Sequence, residues 1–91
     1  MNYYDEIKNE LINNEVTKKV KDYSKNRSDL NTYYNVGKLL KEAGKHYGEG
    51  IIKEYSEKLT AYLNKKYSYR SLNYMMKFYE LQKMQSVTAN L

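Results

Sequence analysis

Apolar residues recur along this chain at spacings of three and four. Tyr4, Ile7, Leu11, Ile12, Val16, Val20 and Tyr23 keep that rhythm, with Glu10, Lys18, Lys19 and Asp22 between them. This is the pattern of an amphipathic helix that turns one stripe toward a core. The period returns in Leu30, Tyr33, Tyr34, Gly37, Leu40 and Ala43, which predicts a second helix with Ser28-Asp29 as its cap. Neither Gly nor Pro stands near Asn26, so one continuous, bent helix is the alternative. Gly44 reads as the C-terminal stop. A third helix is predicted from about Gly50 to Asn64, with Ile52, Tyr55, Leu59, Tyr62 and Leu63 on its buried stripe. Lys65-Lys66-Tyr67 then forms the connection, and Ser68 caps a fourth helix carrying Leu72, Met75, Phe78, Tyr79 and Gln82. Past Gln85 the period is lost among Ser, Thr and Asn. Residues 1–84 therefore read as a single helical domain and 85–91 as a frayed C-terminal tail. The fold class expected is all-α, a small four-helix domain with a helix-turn-helix-like C-terminal half. Leu11, Val20, Leu40, Ile52, Leu59, Leu72, Met75 and Phe78 should share its core.

Composition narrows this picture. A chain of 91 residues buries only about 60 to 65% of its unfolded surface. The stripe Ile7, Leu11, Ile12 and Val16 offers more apolar surface than one small core covers, so a two-fold homodimer through helix one is expected. Cysteine is absent, which excludes disulfides and thiolate metal sites. No apolar run reaches the roughly 18 to 20 residues that span a bilayer, and the N-terminus lacks a signal-peptide pattern. The expected location is cytoplasmic, with no membrane partner. The absence of proline favours long uninterrupted helices, and three of the four glycines lie between Gly44 and Gly50, at the one real break.

Charge is unevenly spread. Residues 1–50 hold nine Lys/Arg against eight Asp/Glu, whereas residues 51–91 hold seven against three. Lys58, Lys65, Lys66, Arg70, Lys77 and Lys83 fall around the turn between helices three and four and along helix four. Two helices joined by a short turn make a candidate helix-turn-helix, in which the second helix enters the major groove with its flanks on phosphates. A basic face of this kind binds through counterion release, and its affinity falls with salt. The plainer alternative is a solvated lysine face on an ordinary helical bundle.

Three blocks carry a resemblance. Tyr33-Tyr34-Asn35-Val36-Gly37-Lys38-Leu39-Leu40 comes first, Gly44-Lys45-His46-Tyr47-Gly48-Glu49-Gly50-Ile51-Ile52 follows, and Phe78-Tyr79-Glu80-Leu81 closes the set. In this order and spacing the chain resembles the N-terminal helical domain of the YhcG-type proteins, a bacterial family in which that domain precedes a PDDEXK-type nuclease domain. The resemblance implies a front module alone, without the β-rich core whose acidic residues and lysine carry the nuclease chemistry. It also implies nucleic-acid association. One departure stands out. Relatives carry arginines on either side of a methionine in the matching helix, and here those positions hold Tyr74 and Met76 around Met75. Arg is the best reader of guanine and phosphate, Tyr stacks or donates one bond, and Met does neither. The packing residues Leu72, Met75, Phe78 and Tyr79 match while the contact residues differ, which favours a changed ligand.

Twelve tyrosines supply nearly all the aromatic content. Tyr33, Tyr34, Tyr55, Tyr62 and Tyr79 fall on apolar stripes and read as core residues with a rim hydroxyl. Tyr67, Tyr69 and Tyr74 sit beside Lys66, Arg70 and Lys77 and are ambiguous. Tyr69, Tyr74 and Met76, if exposed together, would form a partner surface. The Gly44–Gly50 segment has no preceding strand and no Gly-Lys-Ser/Thr signature, so it reads as a helix-to-helix turn and not a phosphate loop. Gly37 within helix two should permit a close helix crossing. His46 has no nucleophile or carboxylate at a suggestive spacing, and the acids are scattered. Glu54 pairs naturally with Lys58 at i,i+4. The expectation is therefore no enzyme, no cofactor and no metal. Two functions stay open: a DNA-associating helix-turn-helix module, or a protein-interaction module such as a small inhibitor or decoy that binds a nuclease or another nucleic-acid enzyme.

Overall fold

The computed structural model describes residues 2–20, 25–64 and 66–89, with side chains over 2–16, 29–64 and 66–84. Four helices make up the fold: α1 (Tyr3–Val20), α2 (Lys25–Tyr47), α3 (Gly50–Leu63) and α4 (Tyr69–Ala89). The described residues contain no strand. The protein is a small all-α domain, as the periodicity predicts.

Helix α2 is the centre of the assembly, packed most extensively on α4 and then on α1. Helices α1 and α2 run antiparallel. Asn14 Nδ2 donates to Asp29 Oδ1 at 2.8 Å, Asn35 Nδ2 reaches Glu10 Oε2 at 3.4 Å, and the rings of Tyr3 and His46 lie 5.7 Å apart. As the α1 position falls, the α2 position rises. The chain therefore folds back between the two helices, and the continuous bent helix is excluded. Helix α2 starts at Lys25, ahead of the Ser28-Asp29 cap that the sequence suggested.

The core takes Tyr3, Ile7 and Leu11 from α1, Val36, Leu40 and Ala43 from α2, Ile52, Tyr55 and Leu59 from α3, and Leu72 and Met75 from α4, with Tyr67 from the connection. Ile7, Val36, Leu40, Leu59 and Leu72 are fully enclosed. Leu11 is buried as expected. Two other points differ from the sequence reading. Ile7, counted in a stripe too broad for one small core, is fully enclosed by the chain itself, and among the described side chains of α1 Val16 is left exposed. Phe78, expected inside, is half-buried at the rim, edge-on to Tyr33 with ring centroids 6.2 Å apart. The side chain of Val20 lies outside the described residues.

Helix ends follow the backbone chemistry. Gly44 does not stop α2. The helix continues to Tyr47, and Gly48 ends it with φ +89°, its N–H bonded to the Gly44 carbonyl at 2.8 Å. A left-handed residue closes a helix by bending the chain so that an N–H turns back on the last carbonyls, and glycine adopts it without steric cost. Asn64 plays the same part after α3, with φ 52° and ψ 37°. Helix α4 runs on to Ala89, through most of the segment whose composition reads as a tail.

Candidate nucleic-acid interface

The turn into α4 is held by side-chain bonds from α3. Ser56 Oγ–H donates to the Tyr67 carbonyl at 2.5 Å, and the Tyr67 N–H donates to Thr60 Oγ1 at 3.0 Å. Two hydroxyls one helical turn apart thus satisfy both backbone groups of one residue. The Tyr67 ring completes the anchor by entering the core. This decides one ambiguous tyrosine: Tyr67 is a packing residue. Ser68 then caps α4 as expected, its Oγ accepting the Ser71 N–H at 3.1 Å while its carbonyl accepts the Leu72 N–H at 3.0 Å. The start of the helix is fixed in position and in rotation.

Rotation decides what α4 shows to solvent. Leu72 and Met75 point into the core, and Met75 lies directly against Gly37 of α2. Arg70, Tyr74, Lys77 and Leu81 are exposed, and on a helix of 3.6 residues per turn they fall within about 60° of one another, opposite the core face. Arg70 and Lys77 therefore stand on either side of Tyr74 along one exposed strip. Lys66 joins them from the turn. With Arg70 and Tyr74 it borders an open cleft of about 390 Å³, whose floor includes Asn14, Asp29 and Tyr33. Tyr74 is 59% exposed, its ring edge-on to Tyr33 at 5.9 Å.

Not every residue assigned from the sequence joins this strip. Met76 is half-buried against the core near Leu40 and Gly44. It lies two residues from Tyr74, and positions two apart on a helix point roughly 200° away from each other. Tyr69 is exposed on the same flank as Met76, so the surface of Tyr69, Tyr74 and Met76 does not form as one patch. Lys58 is on α3, paired with Glu54 at 3.3 Å and 5.7 Å from the Tyr4 ring centroid, and it lines a different cleft from Arg70. Lys83 lies 5.8 Å from the Tyr79 ring centroid, on the flank of α4 that faces α2. Lys65 falls outside the described residues.

The sequence reading passed over Lys38, Lys41 and Lys45 of α2, which border a groove with Lys83. Their spacing of three and four was the available signal. In a first half whose acids and bases nearly balance, it marks one basic face with no excess of charge overall. Tyr62, expected in the core, is 62% exposed at the end of α3, where the Lys8 ammonium sits 4.2 Å from its ring centroid.

His46 lies in the last turn of α2, its ring tilted against Tyr3 and Tyr47 with centroids 5.7 and 6.2 Å away. Burial, and the nearby Glu42 carboxylate after it, push the Tyr3 phenol above its ordinary value, and burial does the same for Tyr55. Among the described residues no group of three or more His, Cys, Asp or Glu is placed to hold a metal ion. Among the same residues no helix is long and apolar enough to cross a membrane.

The family model of the DUF1016 N-terminal domain matches residues 6–91. Neither a curated protein nor a solved structure matches the chain.

Proposed function

The chain belongs to the DUF1016 N-terminal domain family, in keeping with its resemblance to the front domain of YhcG-type proteins, and from that premise we propose that it is a non-catalytic, nucleic-acid-associating module. Helix α4 is the element laid in the major groove, with α3 packed behind it. The observation that carries this reading is the exposed strip of Arg70, Tyr74 and Lys77, on a helix whose opposite face is locked by Gly37 and whose start is fixed through Tyr67. Lys66 and Arg70 contact phosphates, while Lys77, farther along the same strip, lies where base edges would pass. A fixed recognition helix matters because a groove is read by side chains held in register with the duplex.

The test is a gel shift of duplex DNA with the intact chain in rising salt, run beside the double reversal Lys66→Glu and Arg70→Glu. Both residues are exposed, so the fold should be kept. Each lost phosphate contact should lower the slope of log affinity against log salt by about 0.9. A wild-type chain that fails to bind duplex at low salt would overturn the proposal.

One observation favours the second reading, a protein-interaction module that acts as an inhibitor or decoy. Leu81 and Met84 are exposed beyond Tyr74 on α4, and Tyr74 stands where the resemblance to YhcG-type proteins implies an arginine. Tyrosine anchors protein interfaces with a large contact area at low entropic cost. In that reading the partner is a nuclease or other nucleic-acid enzyme, and a pull-down with the intact chain identifies it. A homodimer is compatible with both readings, and sedimentation at high micromolar concentration tests it.

A further inference from the structure

Helix α2 carries its own row of lysines beside α4. Lys38, Lys41 and Lys45 fall within about 60° of one another on an ideal helix. With Lys83 of α4 they border an open groove of about 770 Å³ that also includes Glu42 and Glu80. The two acids do not cancel the row. Lys41 is ion-paired to Glu80, which leaves Glu42 as the one carboxylate of the groove against Lys38, Lys45 and Lys83, all three exposed. Glu80 also senses the wider field. Lys41 holds its carboxyl below the ordinary range first by a hydrogen bond and by its charge, and Lys83 and Lys77 add to the effect.

The position of the row is what gives it meaning. Tyr74 and Lys83 are nine residues apart and so lie on opposite sides of α4, about 180° around the helix axis. Lys66 is on the Tyr74 side and the α2 row is on the Lys83 side. The major groove is about 12 Å wide, and a helix with its side chains is about 10 to 12 Å across. An inserted helix therefore has a phosphate strand along each flank.

We propose that Lys38, Lys45 and Lys83 form a second phosphate-contact strip, so that a duplex gripped by α4 runs one strand past Lys66 and Arg70 and the other past α2. This rests on the reading of α4 as the groove helix. It extends that reading to residues of a different helix, and it gives Lys83, on the opposite flank of α4 from Tyr74, a phosphate of the second strand to contact.

The experiment compares three variants of the intact chain on one duplex across a salt series: Lys38→Glu with Lys45→Glu, Lys66→Glu with Arg70→Glu, and all four together. Circular dichroism verifies that each stays helical. The α2 pair should lower the log–log salt slope by about 1.8, two contacts at about 0.9 each, and the two pairs should add, because they hold different strands. Lys83→Glu reaches the same strip from α4 and should lower the slope by about 0.9, which keeps the test open if reversal on α2 unfolds the domain. An unchanged slope in the α2 pair and in Lys83→Glu, with a reduced slope in the Lys66/Arg70 pair, overturns the second strip and leaves the α4 reading standing. The same variants are tested for binding to poly-glutamate, and loss of that binding in the α2 pair with duplex binding intact would assign the row to an acidic protein and likewise overturn the proposal. A wild-type chain that binds no duplex removes both readings together.

Discussion

The Cα of Gly37 is pressed against the backbone of Met75, where α2 crosses α4. A Cβ at this position would overlap the Met75 carbonyl oxygen and would meet the Met75 carbonyl carbon at 2.8 Å and the Tyr79 Cβ at 2.9 Å. The obstacle is backbone and the root of a side chain, so no rotamer change relieves it. Gly37→Ala should therefore destabilise the domain on the order of 1 to 3 kcal/mol, as overpacked cores do, despite the gain in helix propensity of up to about 1 kcal/mol. Gly44→Ala is the control. It lies in the same helix with nothing within 4 Å of the added methyl, and it should raise stability by a few tenths to about 1 kcal/mol. Thermal unfolding of the two variants should shift in opposite directions, and a Gly37→Ala protein as stable as wild type would refute the close crossing.

The bonds to Tyr67 make a second, separate prediction. Thr60→Val keeps the shape of the side chain but removes the acceptor for the Tyr67 N–H. The bond is partly buried, so losing the partner of this donor should cost about 1 kcal/mol, the low end of the range for a fully buried one. Ser56→Ala removes the shorter bond to the Tyr67 carbonyl and should cost a similar amount. Because these bonds set where α4 begins, the amides of Ser71 and Leu72 should lose hydrogen-exchange protection in both variants, ahead of those in α2.

Much of this arrangement was legible in the periodicity. Four helices, the cap at Ser68, the break before Gly50 and the close approach at Gly37 all follow from local chemistry, in which spacing, a hydroxyl or a missing Cβ is enough. What periodicity does not carry is which surface covers a stripe. Ile7 and Leu11 form an apolar row whether their partner is α2 or a second chain, and only the antiparallel return of α2 decides it. The three glycines from Gly44 to Gly50 are equivalent as letters, yet only Gly48 takes a positive φ. The basic residues show the same limit. Lys58 and Lys83 are close to Arg70 in sequence and on other faces in space, whereas Lys38 and Lys45 are distant in sequence and border a groove with Lys83. The error over Met76 is of another kind, because helix geometry alone separates it from Tyr74.

The ion pair of Lys41 with Glu80 joins α2 to α4 beyond the Gly37 crossing and carries a pH signature. Lys41 lowers the Glu80 carboxyl below its ordinary value of 4.5. A folded-state pKa below the unfolded one means that the pair contributes fully above the unfolded value and loses its contribution as pH falls through the folded value. The melting temperature of wild type should therefore fall relative to Glu80→Gln as pH is lowered from 5 through the region below 4.5. Above pH 5 the difference between the two should be constant. The effect should shrink in high salt, because the pair is exposed to solvent. A difference that stays flat across the acid range would mean that the pair contributes nothing to folding.

Tyr74 is where the two functional readings part most sharply. It is exposed, so Tyr74→Ala should cost little in stability beyond its edge contact with Tyr33, roughly 0.5 to 1.5 kcal/mol. It carries no charge, so its loss should leave the salt slope of duplex binding unchanged and weaken that binding less than reversal of Lys66 and Arg70 does. In a protein interface the same truncation would remove an aromatic anchor, where losses of about 2 kcal/mol or more are usual. The opposite substitution gives a positive test. Tyr74→Arg places beside Met75 the arginine that the resemblance to YhcG-type proteins implies, on a strip already bordered by Arg70 and Lys77. If α4 faces a duplex, the added guanidinium should gain one phosphate or guanine contact, steepen the slope by about 0.9 and tighten binding at low salt. If the strip faces a protein, the same change should leave duplex binding as it was and break the pull-down instead.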